Sequence, residues 1–304
     1  AYLYDNGQTD EGGAFVYNGS ASGLSVTATW SAESNQASSA FGWNVSTAGD
    51  VNGDGYSDVL SGARYYDNGQ SDEGRVFEYN GSPTGLSVNS NWAAESNQAS
   101  SYFGLSVSSA GDVNGDHYND VIIGAPGYDN GDAFEGRAYV YYGSSIGLSL
   151  SANWTGEINI TGAYFGNSVS TAGDVNDDGY CDIIVGAPFK PFGGAYIYFG
   201  SAAGLSLTPN WSKISDQTGS QYGISVSTAG DVNGDGFSEV LVGANLYSNG
   251  QLLEGKAYAY YGSASGPSVT PDWSGESNQM QAEYGACVTT AGDVNGDGFS
   301  DVLI

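Results

Sequence analysis

Apolar residues along this chain alternate with polar ones over short stretches, and no window holds the three-and-four spacing of a helix. Arg137-Ala138-Tyr139-Val140-Tyr141-Tyr142 alternates and closes on Gly143-Ser144, while compact apolar runs such as Val121-Ile122-Ile123 stand between turn residues. Both patterns predict strands. Four such elements recur in a fixed order. Strand one runs from an aromatic-Gly pair, as in Phe103 to Ser108, and strand two follows an acidic loop, as in Asp120 to Ile123. Strand three is the Tyr-rich stretch from Arg137 to Tyr142. Strand four is shorter and ends near a Trp, as in Ser149 to Trp154.

Landmarks keep these elements in phase. Trp30, Trp92, Trp154, Trp211 and Trp273 each precede an aromatic-Gly pair by eleven residues. Those pairs are Phe41-Gly42, Phe103-Gly104, Phe165-Gly166, Tyr222-Gly223 and Tyr284-Gly285. An acidic loop follows each pair, and Gly62-Ala63, Gly124-Ala125, Gly186-Ala187 and Gly243-Ala244 follow the first four loops. Loop-to-loop spacings are 62, 62, 57 and 62 residues. Four-stranded units of this length in series predict an all-β fold, a β-propeller of antiparallel blades occupying residues 1–304 as one domain. The phased Trp residues are expected to pack between neighbouring sheets.

The acidic loop carries the candidate chemistry. Oxygen-bearing side chains stand at its positions 1, 3, 5 and 9. They are Asp50, Asn52, Asp54 and Asp58; Asp112, Asn114, Asp116 and Asp120; Asp174, Asn176, Asp178 and Asp182. The last two sets are Asp231, Asn233, Asp235 and Glu239, and Asp293, Asn295, Asp297 and Asp301. Alternate positions on a curled loop can face one centre, where hard oxygen ligands suit Ca²⁺. Position 7, an aromatic in every copy (Tyr56, Tyr118, Tyr180, Phe237, Phe299), would add its main-chain carbonyl and leave its ring to pack. The competing reading is an Asx-rich turn whose carboxylates bond their own backbone. Three or more carboxylates per loop favour the metal, because without a cation they repel one another. One ion per loop gives about five Ca²⁺. His117 takes position 6, where the other four loops have Gly, which predicts left-handed backbone there and weaker binding by that loop. Glu239 replaces Asp at position 9, and its extra methylene is expected to change how that carboxylate bites.

The run from Phe103-Gly104 through Ala110-Gly111-Asp112-Val113-Asn114-Gly115-Asp116 to Gly124-Ala125-Pro126 resembles the FG-GAP repeat of integrin α-subunits. The resemblance covers the whole chain. It implies a β-propeller, Ca²⁺ in the hairpin loop between strands one and two, and an extracellular interaction module. Integrin propellers have seven blades, whereas this chain shows five units. Its ends complement one another: Ala1 to Gly7 matches Ala63 to Gly69, and Asp301 to Ile304 stops where Gly-Ala would follow. A complete chain would then make five blades, the last shared between its termini. An excerpt would belong to a seven-bladed ring, and an open end could pair with the next molecule. With no initiator Met and no signal peptide, the chain reads as a processed mature chain or an excerpt.

Charge narrows the partners. Thirty-four acidic and six basic residues give a formal charge of −28, which argues against nucleic acid and anionic membrane surfaces. No apolar run is long enough to cross a bilayer, so direct membrane insertion is not expected. Cys181 and Cys287 occupy different positions in non-neighbouring units, which disfavours a disulfide. One His and no nucleophile–base spacing leave no catalytic constellation, so the chain does not read as an enzyme.

Ligand contacts are expected on the face opposite the acidic loops. There the two-to-three loops from Tyr4, Tyr66, Tyr128 and Tyr247 are acidic and polar, and read as a second cation site, a ligand surface or ordinary solvated turns. One unit has a loop five residues shorter, containing Phe189, Lys190 and Phe192. That aromatic, basic patch is the first candidate for a specific protein or glycan contact. Trp43, whose counterparts are Leu105, Asn167, Ile224 and Ala286, is the second. Three functions follow: a Ca²⁺-stabilised extracellular adhesion or protein-binding propeller, a self-assembling subunit of a surface layer or filament, or a carbohydrate-binding or carbohydrate-cleaving propeller.

Overall fold

The computed structural model describes residues 1–189 and 192–304. It is all strand, and no helix occurs among the described residues. Four sheets each contain four antiparallel strands in chain order. In the second complete blade these are Ser106–Gly111, Asp120–Ala125, Arg137–Tyr141 and Trp154–Gly156. First strands of successive blades lie beside one another, so they form the inner edge of the propeller and the Trp-bearing fourth strands the outer edge.

The apolar core sits between blades. One cluster joins Phe103, Val121 and Ile123 of one blade to Val51, Leu60 and Trp92 of the blade before it. The phased Trp residues pack as expected. Trp30, Trp92, Trp154 and Trp211 meet Tyr79, Tyr141, Tyr198 and Tyr260 of the following blade nearly edge-on, with ring centroids 4.8–5.0 Å apart. Each indole N–H also donates to a serine carbonyl of that blade, at 2.9–3.0 Å. Edge-to-face pairs of this type add about 0.5–1.5 kcal/mol beyond their buried area.

Glycine phasing has a direct cause. A Cβ at Gly62, Gly124, Gly186 or Gly243 would stand 1.9–2.1 Å from the carbonyl oxygen of Gly104, Gly166, Gly223 or Gly285. The Gly of each Gly-Ala pair therefore receives the aromatic-Gly backbone of the next blade. Two backbones meet where no side chain fits.

Two strand boundaries differ from expectation. Strand one of the second blade starts at Ser106 rather than Phe103, whereas in the first and fourth complete blades it starts at the aromatic, Phe41 or Tyr222. Strand four begins at Trp154 instead of ending there. The preceding residues form a turn in which Asn153 Oδ1 accepts the Tyr142 N–H at 2.9 Å, taking the place of a ladder bond.

The hairpins near the two ends of the sequence form separate two-stranded sheets. Gly13–Val16 pairs with Trp30–Glu33, and Thr289–Gly292 with Asp301–Leu303, but no ladder links these two hairpins. Trp273 is 40% exposed, whereas Trp92, Trp154 and Trp211 are 4–7% exposed.

The glycine contact is testable. Gly124→Ala places a methyl against Gly166 O and Ser106 Oγ, and should cost about 3 kcal/mol through forced separation of the blades. Denaturant unfolding measures this, and an unchanged midpoint would show that the blades part freely.

Candidate metal centres and the opposite face

Each acidic loop is curled by its own side chains. Asp50 Oδ1 accepts the N–H groups of Gly53 and Asp54 at 2.7 and 3.1 Å, and its Oδ2 accepts Gly55 N–H at 2.8 Å. Asn52 Oδ1 then accepts Asp54 N–H, and Asp54 Oδ1 accepts Tyr56 N–H. The same ladder recurs from Asp112, Asp231 and Asp293. Asp174 repeats its two later bonds, to Asp178 and Gly179. His117 adopts the expected left-handed backbone, with φ 74°, and its ring is exposed. Asp177 does the same at position 4 of its loop, with φ 56°.

Position 9 lies beneath the loop. Asp58, Asp120, Asp182 and Glu239 are fully buried. Each carboxylate spans two segments. Asp120 Oδ2 accepts Val113 N–H and Oδ1 accepts Gly143 N–H, both at 2.9 Å, which ties the loop to the end of strand three. Glu239 shows the effect of its extra methylene: its bond to Gly262 N–H stretches to 3.4 Å. Burial, aided by the nearby loop carboxylates, pushes Asp120, Asp182 and Glu239 up to about 7 and also raises Asp58.

Neighbouring loops are linked. The N–H groups of Asn119, Cys181, Ser238 and Ser300 donate to the carbonyls of Asp50, Asp112, Asp174 and Asp231 in the loop before. The aromatic at position 7 also packs on the preceding loop. Tyr118, Tyr180 and Phe299 cover Gly53, Gly115 and Gly234 so closely that a Cβ there would lie 2.6 Å from the ring. Gly at position 4 thus makes room for the next loop's ring.

The donor set fits a hard cation. Positions 1, 3 and 5 offer carboxylate and amide oxygens at the surface, with the position 9 carboxylate below them. No Lys or Arg lies within 4.0 Å of these carboxylates among the described residues. Nor do three acidic, His or Cys side chains there converge as a ready ligand cluster. Like charges without an ion turn instead toward backbone N–H groups.

On the opposite face, the two-to-three loops are held by their own acids. Glu11, Glu73, Glu135 and Glu254 are fully buried. Glu11 Oε1 accepts Asn6 N–H, and Glu73 Oε1 and Glu254 Oε1 accept the N–H groups of Asn68 and Asn249. Glu11, Glu73 and Glu254 thus anchor their turns, whereas both carboxylate oxygens of Glu135 are buried with no hydrogen-bond partner among the described residues. Trp43 lies under a guanidinium: Arg64 Cζ is 3.3 Å from its ring centroid and Tyr2 packs alongside. Phe192 is 43% exposed, and Lys190 lies outside the described residues. Phe189 lines a recess, together with Phe134 and Tyr164, which sequence reasoning did not select. Phe134 was recognisable as an aromatic at a loop position that holds Asp10 and Asp72 in two other units.

Family comparisons agree with this architecture. The FG-GAP repeat model matches residues 41–79 and 103–141, and the FG-GAP-like repeat model matches residues 174–242. Integrin alpha-V of Gallus gallus is 33% identical over 217 residues, covering 67% of this chain and 20% of the integrin. Integrin alpha-PS5 of Drosophila melanogaster is 36% identical over 162 residues, covering 48% and 15%. The chain thus spans about a fifth or less of these relatives' length. Among solved structures, rhamnogalacturonan lyase YesW aligns with a TM-score of 0.44 at 15% identity, over 81% of this chain and 49% of that one. The Bacillus licheniformis rhamnogalacturonan lyase PL11 aligns with a TM-score of 0.43 at 15% identity, over 86% and 55%. In repeat sequence and in blade architecture, the chain is an integrin-like FG-GAP repeat β-propeller.

Proposed function

We propose that this propeller is an extracellular, Ca²⁺-stabilised module for adhesion or protein interaction, and that it is not an enzyme. The observation that carries the reading is the repeated loop, in which a fully buried carboxylate underlies a curl of surface carboxylates. Asp50, Asn52, Asp54 and Asp58, with the Tyr56 carbonyl, would hold one ion, and the equivalent residues from Asp112, Asp174, Asp231 and Asp293 would hold the others. The bound cation would offset carboxylate repulsion and fasten strands one and two together. Similarity to integrin α-subunits supports a cell-surface setting and a protein partner. The face opposite the metal loops is the proposed partner surface.

Thermal unfolding with Ca²⁺ and with a chelator tests the metal. Ligand linkage stabilises by about 2.7 kcal/mol per site at a hundredfold excess over Kd, so chelation should lower Tm strongly. An unchanged Tm would reduce the loops to Asx turns. Binding to a panel of purified extracellular-matrix proteins and glycans, with solution mass measured alongside, tests the module. Protein binding by a monomer supports it. Calcium-driven assembly would support a filament subunit, and glycan turnover an enzyme.

A pH dependence follows for the chelated protein. Asp120, Asp182 and Glu239 have folded-state values near 7, above the ordinary carboxyl range of about 4. The folded state then holds more protons than the unfolded one between about pH 4 and 7, so stability is full below about 4 and falls as pH rises through 7. Denaturant midpoints across that window should decline in chelator and flatten in Ca²⁺, whose binding releases protons. A midpoint that rises with pH in chelator would overturn this assignment.

A further inference from the structure

One side chain in the core between blades is out of character. On one rung of each complete blade, a strand-three residue lies between a partner on strand two and the phased Trp of strand four. In three blades that residue is apolar: Val140 between Ile122 and Trp154, Ile197 between Ile184 and Trp211, and Ala259 between Leu241 and Trp273. In the first complete blade it is Glu78, between Leu60 and Trp92. Leu60 and Trp92 belong to the apolar cluster shared with the next blade, and Glu78 is 1% exposed. No Lys or Arg pairs with it among the described residues. A carboxyl in that place costs more than a valine unless its polar atoms are met.

Its hydrogen bonds lead to a metal loop. With the Asn80 amide turned to suit both neighbours, Nδ2 donates to Glu78 Oε1 at 2.5 Å and Oδ1 accepts Asn52 Nδ2 at 3.1 Å. Asn52 is position 3 of the first acidic loop, and its own Oδ1 accepts Asp54 N–H at 2.9 Å. The Asn52 amide is thereby fixed at both ends. The other complete blades have Tyr142, Phe199 and Tyr261 in place of Asn80. In the second and third loops the position 3 amide turns inward: Asn114 Nδ2 donates to Asp116 Oδ2 and Asn176 Nδ2 to Asp178 Oδ2, both at 3.0 Å. Those bonds engage oxygens of the position 5 carboxylate. In the first loop the same donor is drawn away to Asn80, which leaves Asp54 Oδ2 without it. In the fourth and fifth loops Asn233 and Asn295 accept through Oδ1, and no partner holds their amide nitrogens among the described residues.

We propose that Glu78, acting through Asn80, positions Asn52 and makes the first loop the tightest of the Ca²⁺ sites. This rests on the metal reading above and deepens it. Glu78 is a positioning residue. It fixes the amide before the ion arrives, so the loop gives up fewer internal hydrogen bonds on binding. Asp58 already ties this loop to the end of strand three, through Gly81 N–H at 2.7 Å. Asn80 adds a second tie one residue away. Packing alone would be served by an aliphatic residue, as Val140 serves it in the next blade.

The test is Ca²⁺ titration of the 304-residue chain against a competing chelator, read as stepwise constants and number of ions. Wild type should show one step at least about tenfold tighter than the rest, the size of effect that partners of metal ligands have. Asp50→Asn should remove that step and so assign it to the first loop. Glu78→Val and Asn80→Ala should each weaken it about tenfold or more, with the number of ions unchanged. Glu78→Gln keeps an acceptor of the same shape and should retain the step. Unfolding in chelator separates positioning from packing: Glu78→Val should match or exceed the wild-type Tm, because a buried carboxyl gives way to an apolar group. A Tm that falls in parallel with affinity would make Glu78 structural and overturn the proposal. So would a Glu78→Gln variant as weak as Glu78→Val, which would trace the effect to charge instead of the hydrogen-bonded route. Equal steps in wild type, or a tight step that survives Asp50→Asn or survives both Glu78→Val and Asn80→Ala, would overturn it while the metal reading stands. A wild-type chain that binds no Ca²⁺ would overturn both.

Discussion

Burying a carboxylate without a basic partner is costly, and this fold does so beneath four successive loops. Asp58, Asp120, Asp182 and Glu239 have no exposed surface. The cost is tolerated because each carboxylate stitches segments that no ladder connects. One oxygen holds the second residue of the acidic loop, and the other holds the glycine that ends strand three. Removing that group would free two backbone N–H donors as well as the loop. A cation placed above would reverse the sign of the local field, so the same residue can organise the hairpin and receive the ion.

The loops are not independent of one another. Asp50, Asp112, Asp174 and Asp231 each accept a backbone N–H from the next blade's loop through their carbonyls, and the rings of Tyr118, Tyr180 and Phe299 rest on the preceding loop. Blades meet below through Gly–carbonyl contacts and outside through Trp–Tyr pairs. Strain in one loop therefore passes to the adjoining blade through rigid backbone contacts, whereas sheets joined only by side chains could slide. Nearest-neighbour coupling of this type is the usual energetics of repeat arrays.

Much of this was legible because period-62 phasing superimposes residues that do the same physical work. Trp at one phase packs outward on the next sheet, and Gly at another clears a backbone. The acidic loop was readable for the same reason, down to the left-handed His117. Strand four was displaced because Asn153 reads as a strand residue until its side chain is seen capping Tyr142. Trp43 looked available for a ligand because nothing in sequence brings Arg64 over its ring. The role of position 9 was only half visible: its oxygen chemistry was plain, but its complete burial and its bond to Gly143 or Gly200 arise from tertiary packing.

The recess was hardest to read because its walls come from three connections in successive units. Phe134 lies in one two-to-three loop, Tyr164 in a four-to-one connection, and Phe189 in the shortened loop. Internal comparison nevertheless separates two kinds of departure. A Glu or Gln clamp, such as Glu157 on Asn130 or Gln98 on Asp129, would have no partner beside a shortened loop, and Ile214 and Ile160 stand at those two positions. Phe134 is a separate feature: its own loop is full length and its Asn130–Glu157 clamp is intact, and the same loop position holds Asp10, Asp72 and Leu253, all in left-handed backbone. An exposed ring in left-handed backbone beside an intact clamp is the feature that loop shortening does not explain.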